Sequence, residues 1–143
     1  MTARPLIEAE NLNRTFQRGG WLSRRASVIA VRDATFHVAK GETLAIVGES
    51  GSGKSTVARM LVGLDRPTGG AIRLEGEDLS TLTARDRRML GRRIQYVFQD
   101  PVASLNPRHR IGEILGGTLM RLAGMSDRAA RRARMEELLH HVG

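Results

Sequence analysis

Gly48-Glu49-Ser50-Gly51-Ser52-Gly53-Lys54-Ser55-Thr56 decides the reading of this chain. The stretch fits the phosphate-binding pattern GxxxxGK(S/T), with Gly48, Gly53, Lys54 and Ser55 at its fixed positions. Before it, Thr43-Leu44-Ala45-Ile46-Val47 is a short apolar run that predicts a buried strand. After it, residues 55–64 predict a helix that stops near Gly63. Strand, glycine-rich loop and helix in that order form the context the pattern requires.

The chemistry follows from the residue types. Gly48, Gly51 and Gly53 allow backbone conformations that a Cβ forbids, and allow close approach to a ligand. Successive N–H groups can then turn inward to make an anion-binding concavity. The free N–H groups of the following helix, with their partial positive charge, face the same point. Lys54 adds a full charge within reach of β- and γ-phosphates, and Ser55 offers a hydroxyl to Mg²⁺, which prefers hard oxygen ligands. All nine residues are therefore candidate nucleotide contacts, Glu49, Ser50, Ser52 and Thr56 included.

Composition sets wide bounds. With 143 residues, 41% hydrophobic and 27% charged, the chain reads as at most one globular domain. The net charge of +8 comes from 23 basic residues, of which only Lys40 and Lys54 are lysine. Such a balance suits nucleic acid, an anionic membrane face or a polyanionic ligand, and so leaves a basic nucleic-acid-binding protein as an alternative. Cysteine is absent, which excludes disulfides and thiol catalysis. No segment has the length of apolar sequence that a signal peptide or membrane span needs, so the expectation is a soluble, cytoplasmic chain.

Taken in order, residues 5–16 predict an extended segment closed by Phe16, and 17–27 a Gly- and Arg-rich connection that contains Trp21. Residues 28–31 and 35–38 predict short β segments, and short alternating strands ahead of an apolar one suggest an antiparallel layer beside a parallel core sheet. Residues 65–70 predict a turn, 71–74 a strand and 75–78 another turn. Ser80 or Thr83 is placed to cap a helix over 84–91. Residues 94–98 predict a further strand, followed by a loop bracketed by Pro101 and Pro107. Helices are expected over 110–123 and 127–142. The arginines at 128, 131, 132 and 134 read as a solvated helix face, because Glu136 and Glu137 follow and no aromatics interleave. His37, His109, His140 and His141 have no ligand or triad spacing.

Several stretches resemble the ATP-binding subunit of an ABC transporter, and most of all the ATPases of oligopeptide and dipeptide importers. They are GETLAIVGESGSGKSTVARMLVGL, RPTGGAIRLEGEDL and IQYVFQDPVASLNPRHRIGEIL, the last with the distinctive string QDPxxSLNP. The resemblance implies an α/β fold: a P-loop NTPase core over 43–100, an antiparallel β layer over 1–42 and the start of a helical subdomain over 101–143. It implies that Phe16 stacks on adenine, although a lone aromatic at a strand end also fits simple packing. It implies that Gln99 serves Mg²⁺ and the attacking water, where the duller reading is a polar residue ending a strand. Asp100, an acid after an apolar strand, could instead orient Mg²⁺ in another kind of P-loop NTPase, but the QDPxxSLNP string favours the first reading.

ATP and Mg²⁺ are the implied cofactors. The implied partners are transmembrane permease subunits, a second ATPase subunit and, indirectly, a solute-binding protein, with no nucleic acid. The chain would then sit on the inner membrane face through its permease partners. The sequence contains no LSGGQ-type signature, no later apolar strand ending in Asp-Glu and no switch histidine. The expectation is an N-terminal part of a transport ATPase, with modest nucleotide binding and weak or no turnover. A non-functional truncated product is the third reading.

Overall fold

A computed structural model describes residues 5–18, 26–100, 102 and 105–143. Trp21 and Pro101 lie outside these. Contacts divide the chain into two compact units, the first ending at Leu90 and the second beginning at Gly91.

The first unit is organised by an antiparallel sheet. β1 (Ile7–Arg18) pairs with β2 (Ala26–Val38) on one side and with β3 (Gly69–Leu74) on the other, and β3 pairs with the two-residue β4 (Glu77–Asp78). The antiparallel layer expected from the alternating segments is present, and its strands are longer than predicted. Residues 17, 18, 26 and 27 of the expected connection belong to β1 and β2, and the two short β segments after it form one strand. The β1–β2 register shifts near Leu12 and Arg14. Asn11 and Asp33, both at φ 47°, take up these irregularities, as short polar side chains that bond locally can. The side chain of Asn13 binds Asp33 twice, donating to its carboxylate at 3.0 Å and accepting from its N–H at 3.2 Å.

α1 (Lys54–Leu61) packs its Val57 and Met60 face inward. It ends as predicted near Gly63, whose φ of 74° closes a Schellman motif. Leu64 N–H donates to Arg59 O at 2.9 Å and Gly63 N–H to Met60 O at 3.1 Å. α2 (Ala84–Leu90) is capped by Thr83, not Ser80. The Thr83 hydroxyl accepts from Asp86 N–H at 3.2 Å and donates to the Asp86 carboxylate at 2.5 Å, while Thr83 N–H donates to the same carboxylate. This is a capping box with Asp in the acidic position. The core gathers Ala9, Leu12, Val31, Val57, Met60, Ile72, Leu74, Leu79, Leu82 and Leu90.

The second unit contains α3 (Ile111–Leu122) and α4 (Arg128–Val142), which match the two expected helices to within a residue or so. Glu113 reaches back to Arg110 N–H at 3.1 Å, and Asp127 caps α4 by accepting from Ala130 N–H at 2.6 Å. Neither helix has a fully buried residue.

Two predicted strands are corrected. Residues 43–47 and 94–98 are not β-strands. Leu44, Ile46 and Val47 are exposed, Val47 to 91%, as are Val97 and Phe98. The apolar pattern is there, but a strand exists only where a neighbour takes up its N–H and C=O groups. No strand pairs with either run among the described residues. Within 94–98 the side chains of Tyr96 and Phe98 meet edge to face, with centroids 4.7 Å apart.

Candidate functional site

The Gly48–Thr56 stretch turns out of the exposed run 43–47 and into the N-terminus of α1. Gly53 is the tightest point of this turn. Its φ is 93°, and a Cβ there would lie 2.2 Å from the carbonyl oxygen of Ala30 in β2. Only glycine lets the loop press against that strand. The helix then begins without a side-chain cap and without an acidic residue in its first turn. Val57 N–H closes onto Gly53 O at 2.9 Å, so the amides ahead of it point out of the helix end. An uncapped, unneutralised N-terminus of this kind attracts anions.

Lys54 curls back over the loop. Its ammonium donates to Gly48 O at 2.8 Å, Glu49 O at 2.6 Å and Ser52 Oγ at 3.3 Å. Ser52 N–H donates to Glu49 O at 3.2 Å. The loop is thus shaped around the lysine charge by its own carbonyls. Gly48, Glu49, Ser50, Gly51, Ser52 and Ser55 are exposed, while Lys54 and Thr56 are half-buried.

Phe16 lies in β1 opposite Val28 and is 38% exposed. The β2 residue that Gly53 touches, Ala30, is two positions from Val28, roughly 7 Å along the strand. β2 therefore touches the loop at Ala30 and pairs with the Phe16 position two residues away, at Val28. Sequence reasoning passed over Arg14, whose guanidinium sits 4.4 Å above the Phe16 ring centroid. The available signal was the Arg-Thr-Phe spacing, which puts two strand side chains on one face.

Gln99 belongs to the second unit, exposed just beyond Phe98. Three of the four α4 arginines are engaged locally. Arg131 donates to the carbonyls of Met125 and Ser126, Arg132 pairs with Glu136 and Arg134 with Glu137. This matches a solvated face more than a nucleic-acid surface. Of the histidines, His109 meets Glu113 at 3.3 Å and His141 meets Glu137 O at 2.8 Å. No group of three or more His, Asp or Glu residues could hold a metal among the described residues.

Two carboxylates are shifted, both away from the loop. The Ser80 hydroxyl and N–H hold Asp78 below the usual carboxylate range, and the Thr83 hydroxyl and N–H do the same for Asp86. Hydrogen bonds to the ionised form are the cause in each case.

Known proteins are similar to this chain in sequence and fold. A putative peptide import ATP-binding protein of Brucella ovis is 42% identical over 142 residues, covering 99% of this chain and 43% of the relative. A nickel import ATP-binding protein of Rhodospirillum rubrum is 38% identical over 139 residues, covering 97% of this chain and 50% of the relative. The chain thus spans about half the length of these curated relatives. Among solved structures, the dimeric post-hydrolysis state of the ATP-binding cassette MJ0796, bound to ADP and Pi, superposes with a TM-score of 0.77 at 26% identity. That match covers 94% of this chain and 56% of the other. The fold is accordingly the α/β one of a P-loop ATP-binding cassette, antiparallel β layer included. The family model for ABC transporters matches residues 31–143, and with the loop and fold described above this chain belongs to the ABC transporter family.

Proposed function

We propose that this chain is the ATP-binding part of an importer that takes up peptides or similar small solutes. The observation that carries the reading is the loop itself: an uncapped helix start, a glycine pressed onto β2 and a lysine held over the loop carbonyls. The names of the relatives support the direction of transport.

In the proposed site, the backbone N–H groups of residues 48–56 cradle the β- and γ-phosphates. Lys54 exchanges its contacts with Gly48 O and Glu49 O for phosphate oxygens, trading neutral acceptors for charged ones. Phe16 stacks on adenine. Ser55, an exposed hydroxyl at the helix start, suits a hard cation, and Ser55 and Gln99 would hold Mg²⁺. That ion supplies charge neutralisation for the transferring phosphoryl group. Gln99 would also orient the attacking water. The partners proposed are transmembrane permease subunits, a second ATPase subunit and, indirectly, a solute-binding protein. No helix among the described residues is long and apolar enough to cross a membrane, which fits a peripheral place on the inner face through the permease.

Equilibrium binding of ATP tests the reading. Lys54→Ala should weaken ATP ten- to a hundred-fold, as expected for losing a charged hydrogen bond worth about 1.5–3 kcal/mol. Unchanged affinity in that variant contradicts the site. Phosphoryl transfer depends on fully assembled charge and water positioning. With no LSGGQ-type segment and no Asp-Glu strand in the sequence, these 143 residues should show little or no steady ATP hydrolysis. Sustained turnover abolished by Lys54→Ala would refute that expectation.

A further inference from the structure

Among the described residues, Arg14 is the one charged side chain set over an aromatic face, and the function above makes no use of it. Its guanidinium carbon lies 4.4 Å from the Phe16 centroid. The side chain is only 22% exposed, and its Nε is buried without a hydrogen-bond partner. Burial of a guanidinium N–H without an acceptor is unfavourable, and the ring face is the nearest compensation the geometry supplies. Arg14 Nη2 also lies 3.9 Å from the Asp65 carboxylate, which in turn accepts from Arg59 Nε at 2.9 Å.

Asp65 lies four residues beyond Leu61, the last residue of α1, the helix that starts at the phosphate loop. The same segment is stitched to β1 by Thr68 N–H donating to Asn13 O at 2.7 Å and by Thr15 N–H donating to Thr68 Oγ1 at 3.2 Å. Phe16 and α1 are thereby mounted on one frame, with Arg14 as its bridge.

We infer that Arg14 is a positioning residue for the nucleotide base: anchored by Asp65, it covers one face of Phe16 and presents the other for a purine to stack on. The inference rests on the reading of Phe16 as the adenine platform. A cation on one face holds the ring in a single rotamer and draws its π density to that side. An electron-rich base then finds a fixed and less repulsive surface opposite. Arg14 touches no phosphate in this scheme, so its effect should be confined to ligands that carry a base.

The test compares ATP with inorganic tripolyphosphate, which has the phosphates and no base, on the 143-residue chain and three variants. Phe16→Ala must lower the ATP-to-tripolyphosphate affinity ratio; if it does not, the adenine platform itself is wrong. Arg14→Ala should lower the ratio about two- to five-fold, the range of an exposed cation–π contact, with tripolyphosphate binding unchanged. Arg14→Lys keeps the charge for Asp65 but loses the planar stack, and should give an intermediate ratio. The inference is overturned if Arg14→Ala leaves the ratio at the wild-type value while Phe16→Ala lowers it, or if it weakens both ligands equally. Should Arg14→Ala fail to fold, Arg14→Lys decides: a wild-type ratio in that variant overturns the inference. A wild-type chain that binds neither ligand overturns both readings together.

Discussion

Leu12 in β1 and Val47 before the phosphate loop sit in segments of similar strand-forming character, yet Leu12 is 0% exposed and Val47 is 91% exposed. Around Leu12, β1 is paired on both sides, by β2 and β3, and faces a core built from Val31, Met60 and Ile72. Around Val47 no strand takes up the backbone groups among the described residues, and the run stays exposed. The difference shows that apolar content makes a segment capable of being a strand, while its neighbours make it one. A contiguous exposed apolar run of this kind is also a surface prone to association.

Three measurements can break or sharpen that contrast. The largest effect is expected from Leu12→Ala. Removing a fully buried leucine should lower unfolding stability in urea by about 2–5 kcal/mol. A loss as small as that of a surface site would mean that the sheet does not close its core as described.

An intermediate effect is expected where local bonds alone complete an element. Thr83→Ala removes the hydroxyl that starts α2 and should cost about 1 kcal/mol. It also changes the acid response. Asp86 is held below the usual carboxylate range by Thr83, so its favourable contribution is complete above the unfolded value and is lost as pH falls through the lower, folded one. Acid titration of the melting temperature should therefore be shallower in Thr83→Ala than in the wild type. An identical pH slope would show that the capping box is not what holds Asp86.

The smallest effect is expected from Val47→Ser. A side chain this exposed has no burial to lose, and the change should stay within about 0.5 kcal/mol. A cost near that of Leu12→Ala would show that the run is covered in solution.

The candidate site divides along similar lines. The loop from Gly48 to Thr56 was legible because its chemistry is local: glycine spacing, a lysine and a hydroxyl at a helix start specify one another within nine residues. The helices over 111–122 and 128–142 were legible from apolar period and capping side chains, which act within a turn. The strand at 94–98 was misjudged because alternation and apolarity say nothing about who lies alongside. Arg14 was passed over because an i, i+2 spacing puts two side chains on one face without saying that they meet, as the guanidinium and ring here do at 4.4 Å.

By itself, the sequence determined the glycine-rich loop ahead of α1, the two helices of the second unit and the stop of α1 at Gly63, all consequences of residue-to-residue sterics and hydrogen bonding over a few positions. Only the tertiary structure decided that Gly53 must be glycine because Ala30 O stands 2.2 Å from where a Cβ would be. It also decided that Lys54 is held by its own loop, that Arg14 covers Phe16, and that 43–47 carries strand sequence without being a strand. Each of these depends on what another part of the chain brings within contact distance.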